Sequence, residues 1–251
     1  MITVADLSVS INKKQILTDI DFQIPEQSIT QIFGPNGAGK TTLFRVISGI
    51  YPNYSGSVQI ENRDLKSLSV KDLAKTLTFL PQFHHFSLPV SVKDILMSGR
   101  YPYTAFFRSY TKQDRNRLLE TAEEFKILDI LNRDAMTLSG GEIKKVMLAS
   151  AFIQNVPIIL LDEPFVSLDP ESAIRLKELL LNLNRMGKTI IVISHRMELM
   201  YPIATHMIAI QEGRINYSGK KANDPALFRQ TLGIDFQIQV QNQREFIFIN
   251  E

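Results

Sequence analysis

The chain contains 251 residues, of which 44% are hydrophobic and none is cysteine, and its formal net charge is +2. This length suits one large α/β domain or a domain with an inserted subdomain, and the lack of cysteine excludes disulfides and thiolate metal sites. The charge is too small to indicate nucleic acid as a partner. No apolar run approaches the roughly 20 residues of a membrane span, and the first residues lack the pattern of a signal peptide, so we expect a cytoplasmic location.

The first third of the chain predicts strands around one glycine-rich loop. Apolar residues alternate weakly over residues 2–32, which indicates two or three strands, antiparallel to one another, ahead of the loop. The apolar segment Ile29–Phe33 then predicts a short strand that enters the loop. After the loop, apolar residues recur at the period of a half-buried helix: Leu43, Val46, Ile47 and Ile50.

The loop itself fits the pattern G-x-x-x-x-G-K-[ST]. It consists of Gly34, Pro35, Asn36, Gly37, Ala38, Gly39, Lys40, Thr41 and Thr42. In a strand–loop–helix unit, backbone N–H groups curl around phosphate oxygens and the helix N-terminus adds about half a positive charge. Lys40 can then reach the β- and γ-phosphates, and the Thr41 hydroxyl can ligate Mg²⁺. The alternative is a turn that matches by chance, but the strand and helix in register favour a nucleoside triphosphate site.

The middle of the chain predicts a change from strands to helices. Residues 58–60 are predicted as an edge strand and residues 77–80 as another short strand, whereas residues 83–137 look mostly helical. Ser91 and Thr111 each precede an aspartate by three residues, as in a capping box. The aromatic residues between positions 100 and 107 fit either a local core or a contact surface.

An acidic pair follows the continuous apolar run at residues 158–161, a pattern typical of a strand that is buried on both faces of a parallel sheet. Ligands of open α/β sheets bind at the carboxyl ends of such strands. Asp162 fits the residue that holds Mg²⁺ through its water shell, and Glu163 fits the residue that polarises an attacking water. A solvated acidic turn is the alternative, which the phosphate loop in the same chain disfavours.

Two further segments predict contacts with a phosphate. Ser139, Gly140 and Gly141 begin a predicted helix, where a hydroxyl and free N–H groups can bind an anion, although such a start is often only a cap. Two anion sites in one chain suggest a dimer in which each chain covers the other's nucleotide. His195 follows a strand predicted at residues 189–194, so its position favours the γ-phosphate over a structural role. The remaining histidines have no comparable partners and are assigned to the surface: His84, His85 and His206.

The end of the chain continues the alternation of helices and strands. Asp169 with Pro170, and Gly187 beyond them, bracket a predicted helix. Residues 207–217 predict a hairpin around Gly213, and the apolar residues alternate again between positions 236 and 248.

These motifs together resemble those of an ATP-binding cassette (ABC) ATPase subunit, over nearly the whole chain. The loop resembles the Walker A motif, Gln82 the Q-loop glutamine, and residues 138–142 the signature. Residues 158–163 resemble the Walker B strand, residues 167–169 the D-loop, and His195 the switch histidine. The resemblance implies an α/β P-loop NTPase fold of ABC ATPase type, with a mixed sheet core, an antiparallel β subdomain and an inserted helical subdomain.

The same resemblance implies the division into domains. We expect a discontinuous ATPase core at residues 1–82 and 138–222, a helical subdomain at residues 83–137, and a short C-terminal extension with a β-hairpin at residues 223–251.

Three positions depart from the family pattern. Glu142 stands where the signature usually has glutamine, which places a carboxylate near a triphosphate, so it should point away or tune affinity. Near Ile11 the chain lacks the aromatic residue that often stacks on adenine. Ser150 replaces a usual arginine after the signature helix.

The resemblance also implies how the site works. Two chains would pair head to tail around two ATP–Mg²⁺, with Thr41, Gln82 and Asp162 at the metal. Each nucleotide would contact Lys40, Thr41, Thr42, Gln82 and Asp162 of one chain and Ser139 and Gly141 of the other. Glu163 would orient water, while His195 and Lys40 stabilise charge on the γ-phosphoryl group.

A transporter of this type needs a separate membrane permease, which places the chain at the cytoplasmic face of the cell membrane. Residues 91–103 and the C-terminal tail resemble importers of the iron–siderophore, haem and cobalamin type, in which a solute-binding protein delivers the cargo to the permease. A groove holding residues 82–88 and the helix after Ser91 would receive the permease's coupling helix. The alternatives are a zinc or manganese ion importer, an exporter, and a non-transport cassette ATPase that acts on DNA or ribosomes.

Overall fold

The computed structural model describes residues 1–82, 88–104, 110–233, 236–241 and 244–249. Its largest element is a six-stranded sheet. The strands are β3 (Ile29–Phe33), β6 (Leu77–Leu80), β7 (Ile158–Asp162), β8 (Thr189–Ile193), β9 (His206–Gln211) and β10 (Arg214–Lys220), in the spatial order β10-β9-β3-β8-β7-β6. All neighbours are parallel except β9 and β10, which form the predicted hairpin. The three central strands are buried throughout, which explains their unbroken apolar sequences.

A second, four-stranded sheet packs over one face of the first. Its strands are β1 (Ile2–Ile11), β2 (Lys14–Ile24), β4 (Ser55–Ile60) and β5 (Arg63–Asp64), all antiparallel and in the order β2-β1-β4-β5. The prediction of antiparallel strands before the loop is confirmed, with two strands there. The prediction of an edge strand at residues 58–60 is wrong, because β4 lies between β1 and β5.

Helix α1 (Lys40–Ile47) lies between the two sheets and buries Leu43, Phe44, Val46 and Ile47 in their shared core. Ile50, predicted on the same apolar face, is 62% exposed. The reason is local: Gly49 has φ 73°, a left-handed conformation that ends the helix, so the 3.6-residue period does not extend to residue 50.

The helical region has an apolar core of its own. It is built from α3 (Val92–Ser98), α4 (Lys112–Glu124) and one side of α5 (Gly140–Ile153). A short helix, α2 (Val70–Thr76), precedes β6. The predicted caps are confirmed, because the Ser91 and Thr111 side chains accept hydrogen bonds from the N–H groups of Asp94 and Asp114. The predictions made for His84, His85, Phe106 and Phe107 lie outside the described residues.

The other face of the six-stranded sheet is covered by α5, α6 (Pro170–Arg185) and α7 (Met197–Met200). Asp169 caps α6 and Gly187 follows its end, as predicted. Helix α8 (Pro225–Leu232) leads to a separate antiparallel hairpin, β11 (Phe236–Gln241) and β12 (Arg244–Ile249). Within the described ranges, no helix is long and apolar enough to cross a bilayer.

Truncating a side chain in the helical region should lower the free energy of unfolding only where that side chain is buried. Leu96 is 0% exposed on α3, whereas Leu119 on α4 is 52% exposed. We expect Leu96→Ala to lower the free energy of unfolding by about 2–5 kcal/mol and Leu119→Ala to change it by less than about 0.5 kcal/mol. Urea unfolding of both variants measures this, and equal losses would contradict the assignment of a separate core to these helices.

Candidate active site

The glycine-rich loop joins the end of β3 to the start of α1 and is pressed against two neighbouring strands. A Cβ atom on Gly34 would lie 1.9 Å from the carbonyl oxygen of Ile210, and a Cβ atom on Gly39 would lie 2.5 Å from the Leu17 side chain. Both glycines also have positive φ angles, 149° and 99°. Only glycine fits these two positions, so the loop sequence follows from the backbone path as well as from phosphate binding.

Lys40 lies at the first turn of α1 and is 7% exposed. Its Nζ atom donates hydrogen bonds to the carbonyl oxygens of Gly34 at 2.7 Å and Pro35 at 2.9 Å. Burial lowers the pKa of Lys40, and the carboxylates of Glu163 and Asp162 oppose that shift. The ammonium group is therefore held inside the loop, next to the backbone N–H groups that would surround a phosphate.

The sheet register brings the acidic pair to this loop. Asp162 ends β7, is 1% exposed, and its Oδ2 atom accepts a hydrogen bond from the Thr41 hydroxyl at 2.7 Å. Burial raises the pKa of Asp162, whereas the Thr41 hydrogen bond and the Lys40 charge oppose this effect. Two oxygen atoms from neighbouring elements thus lie together.

This pair of oxygens fits Mg²⁺, which typically keeps several waters and binds one or two carboxylates together with substrate phosphates. Among the described residues, no group of three or more acidic or histidine side chains could hold a metal. The two oxygens of Thr41 and Asp162 leave the other ligand positions of such a cation to waters and phosphate oxygens.

Glu163 occupies a constrained position immediately after β7. Its φ angle is 48°, its N–H donates to the carbonyl oxygen of Ile193 at 2.9 Å, and its side chain is 7% exposed. Burial raises the pKa of Glu163 to about 7, and the negative charge of Asp162 adds to this shift while the His195 backbone N–H opposes it. The Oε1 atom is buried without a hydrogen-bond partner in the described structure, so its capacity to accept a hydrogen bond is unused.

His195 follows β8, as predicted, and faces Glu163. Its Nε2 atom lies 3.3 Å from Glu163 Oε1 without the alignment of a hydrogen bond, and its backbone N–H donates to Oε2 at 3.5 Å. Burial lowers the pKa of His195, and the Lys40 charge lowers it further. The structure therefore brings together Lys40, Thr41, Asp162, Glu163 and His195 at one edge of the sheet.

Other predicted residues are not joined to this cluster. Ser139 and Gly140 are exposed at the start of α5, and within the described ranges no hydrogen bond links Ser139, Gly140 or Gly141 to the loop or to the acidic pair. Gln82 follows β6, is half-buried, and has no hydrogen bond among the contacts of the described residues. The helix start thus forms a separate surface of the same chain.

The structure accounts for Glu142. Its Oε2 atom accepts hydrogen bonds from the Ser139 backbone N–H and hydroxyl, both at 2.8 Å, and its Oε1 atom accepts one from Arg133 at 2.9 Å. The Ser139 backbone hydrogen bond is the first cause of the lowered Glu142 pKa, and Arg133 contributes. The carboxylate is thus held at the helix cap, on the N–H and hydroxyl groups of Ser139, and is paired with the Arg133 cation.

The structure shows the surroundings of the other two departures, Ser150 and the segment after Ile11. The Ser150 hydroxyl donates to the carbonyl oxygen of Ile95 at 3.2 Å and so joins α5 to α3. Residues 12 and 13 form an exposed turn with positive φ angles, and nothing in the described structure explains how a base would be held there.

Sequence reasoning missed Lys144. This residue is 6% exposed on α5, and its Nζ atom donates to the backbone carbonyl oxygen of Glu163 at 3.2 Å. A signal existed, because Lys144, Leu148 and Ala151 recur at i, i+4 and i+7, which places a lysine within a buried apolar stripe.

The raised pKa of Glu163 predicts a pH-dependent stability difference. The pKa lies near 7 in the folded protein and 4.5 is its ordinary value, so the proton is held more tightly after folding. Ionisation of Glu163 therefore costs more in the folded protein than in the unfolded chain. The free energy of unfolding is not affected below pH 4.5, falls as the pH rises, and is lowered by the full amount above pH 7. At pH 8 and without nucleotide, Glu163→Gln should therefore be more stable than wild type by up to about 3 kcal/mol.

Urea unfolding of both proteins between pH 4 and pH 8 measures this difference. Glu178→Gln, on the exposed side of α6, is the control for exchanging a carboxylate for an amide. A difference between Glu163→Gln and wild type that stays constant with pH would contradict the burial argument.

Comparison with known proteins agrees with this geometry. A family model described as ABC transporter matches residues 17–166, more than half of the 251-residue chain. The chain is 29% identical to the iron(3+)-hydroxamate import ATP-binding protein of Bacillus subtilis (strain 168), over 92% of the chain and 87% of that protein. It is 33% identical to the manganese transport system ATP-binding protein of the same organism, over 77% of the chain and 76% of that protein.

The fold gives the same result. A solved inward-facing structure described as a metal-chelate type ABC transporter superposes with a TM-score of 0.82 at 20% identity, covering 99% of this chain and 96% of that one. Because the identity is only 20%, this likeness shows the fold and nothing further. The match of the family model over more than half of the sequence shows that this chain belongs to the ABC transporter family, as an ATPase subunit of the cassette type.

Proposed function

We propose that this chain hydrolyses ATP to drive an importer of metal chelates, of the iron–siderophore, haem or cobalamin type, through a separate membrane permease. The observation that carries the ATPase assignment is the convergence of Lys40, Thr41, Asp162, Glu163 and His195 at the carboxyl ends of β3, β7 and β8. The chelate class is supported by the names of related import proteins.

In the proposed reaction the residues of this chain position the nucleotide and the attacking water, and they stabilise the charge that develops on the phosphates. Lys40 neutralises the β- and γ-phosphates, while Thr41, Asp162 and Gln82 hold Mg²⁺, directly or through its waters. Bound Mg²⁺ supplies the charge that offsets negative charge developing between the phosphates. Glu163 orients the attacking water with its unpartnered Oε1 atom, and His195 contacts the γ-phosphoryl group beside it.

The second anion site implies two copies of the chain. Ser139 and Gly140 are exposed, and a Cβ atom on Gly140 would meet nothing within 4 Å, so a ligand can approach this helix start closely. We therefore infer a head-to-tail homodimer in which Ser139, Gly140 and Gly141 of one chain complete the nucleotide site of the other. Hydrolysis removes the γ-phosphate between them, and the dimer opens.

A groove beside β6 suits the permease. One cavity of about 290 Å³ is lined by Thr78, Phe79, Tyr101 and Gln154, and a second of about 230 Å³ shares three of these residues, Thr78, Phe79 and Gln154. Exposed apolar residues border the groove: Ile50 at 62%, Val70 at 87% and Tyr101 at 70%. An amphipathic coupling helix of a permease fits such a surface. Residues 83–87, which belong to the predicted groove, lie outside the described residues.

In the proposed assembly the chain lies at the cytoplasmic face of the membrane, and a solute-binding protein acts through the permease on the opposite side. Import of a manganese ion is the second candidate, favoured by the 33% identity to a manganese transport protein. The chain itself contacts neither cargo in the proposed assembly, so the two candidates differ only in the associated subunits.

Glu163→Gln tests the ATPase proposal. The substitution keeps the size of the side chain and removes the negative charge that orients water, so ATP binding should persist while turnover falls by at least about 100-fold. The variant should also accumulate as an ATP-bound dimer. Steady-state phosphate release and size-exclusion chromatography with ATP measure both results, and Glu178→Gln is the control. Turnover within threefold of wild type would reject Glu163 as the water-orienting group.

A substitution at the border of the groove beside β6 tests whether this groove binds the permease. Val70→Glu places a charge on the exposed border of the groove and should reduce recovery of the permease when the tagged chain is purified from gently solubilised native membranes. The ATPase activity of the isolated chain should not change. Met186→Glu, at an equally exposed apolar residue beyond α6 (74%), is the matched control.

The proteins that copurify with wild type also discriminate between the functions. A polytopic permease with a chelate-binding protein supports the proposal, whereas a metal-ion permease supports the second candidate. Ribosomes or nucleic-acid proteins without a permease would overturn the importer assignment and leave the ATPase assignment intact.

A further inference from the structure

Lys144 is a buried lysine whose contacts are not explained by the phosphate loop or by the helix start. Its side chain is enclosed between α5 and the end of β7, and 6% of it is exposed. A buried ammonium group is unfavourable unless it has acceptors, and the acceptor here is the backbone carbonyl oxygen of Glu163, at 3.2 Å. The lysine is therefore placed against the peptide of the residue proposed to orient water.

The Glu163 peptide needs such support. A φ angle of 48° is uncommon for a residue other than glycine and persists when surrounding contacts hold it. The Glu163 N–H donates to Ile193 at 2.9 Å, and its carbonyl oxygen accepts hydrogen bonds from Val166 at 3.3 Å and from Lys144. The first two contacts come from the sheet and from the following turn. Lys144 is the contact that comes from α5.

The position of Lys144 on α5 adds a second role. The helix begins with Gly140 and Gly141, capped by Ser139, and Lys144 lies about one turn further on, on the buried side. The same helix therefore carries the exposed anion site at its start and the support of Glu163 one turn later. Burial lowers the pKa of Lys144, and the carboxylates of Asp162 and Glu163 oppose that shift.

We infer that Lys144 is a positioning residue for ATP hydrolysis, which fixes the left-handed Glu163 peptide and links it to the helix whose start contacts the nucleotide of the partner chain. This inference rests on the proposed function and deepens it. Lys144 acts through Glu163 and not on the nucleotide, so its loss should lower the turnover number without weakening ATP binding.

Lys144→Met is the test, because methionine fills a similar volume without a charge or a donor. We expect kcat to fall between 10- and 100-fold, since a small misplacement of a reacting group has an effect of that order. The affinity for a fluorescent ATP analogue should stay within twofold, and the thermal unfolding temperature should not fall. Lys145→Met, at the adjacent and partly exposed lysine of the same helix, is the matched control and should keep kcat within twofold.

A second measurement separates this inference from the proposed function. The double variant Lys144→Met/Glu163→Gln should still form the ATP-bound dimer, because Lys144 does not bind the nucleotide. If Glu163→Gln alone forms no such dimer, the dimer proposal fails. If wild type and Lys145→Met hydrolyse ATP and Lys144→Met matches them within twofold, the positioning role is overturned. An ATP affinity that falls as much as kcat would also overturn it.

Discussion

The hydrogen bond between the Thr41 hydroxyl and the Asp162 carboxylate, 2.7 Å long, joins the phosphate loop to the acidic strand, and the rest of the site depends on it. The contact exists because three parallel strands end at the same level. Ile32 of β3 pairs with Ile193 of β8, which in turn pairs with Asp162 of β7. A slip of one residue in either pairing would turn the following side chain to the opposite face of the sheet. The apolar sequences that bury these strands on both faces therefore also set the geometry of the polar groups at their ends.

Those polar groups include four ionisable side chains that are buried together. Lys40 and Lys144 are buried beside Asp162 and Glu163, with exposures of 7%, 6%, 1% and 5%. Two cations and two carboxylates have no formal net charge, which limits the unfavourable energy of removing each from water. The balance is incomplete, since burial still raises the pKa of both carboxylates and lowers that of both lysines. A bound polyphosphate with its cation would rearrange this balance, which is consistent with a site that is tuned for a ligand and not for stability.

The sequence predicts local features well and contacts between elements less well. The caps at Ser91, Thr111, Ser139 and Asp169 depend on residues three positions apart, and the structure has each of them. The apolar period predicts Ile50 on helix α1, but Gly49 ends that helix, so the pattern continues by chance beyond the element. The contacts of Glu142 with Arg133 and of Lys144 with Glu163 could not be predicted, because Arg133 lies in the turns before the helix and Glu163 follows β7. Such contacts depend on how different elements pack together, and the spacing of residues within one element does not predict that packing.

In the proposed dimer, ATP can act as a switch because the phosphate loop and the helix start at Ser139, the two predicted anion sites, are separate surfaces of one chain. One chain places its cations and Glu163 around the phosphate loop, while its exposed helix start at Ser139 has no hydrogen bond to that loop within the described ranges. Shifting a dimer from 1% to 99% closed requires about 5.5 kcal/mol of preference for the closed state. Charge-assisted hydrogen bonds contribute about 1.5–3 kcal/mol each, so two to four such bonds from Ser139, Gly140 and Gly141 to the γ-phosphates of two nucleotides are sufficient. Because these bonds depend on the γ-phosphate, hydrolysis removes the same free energy that closed the dimer.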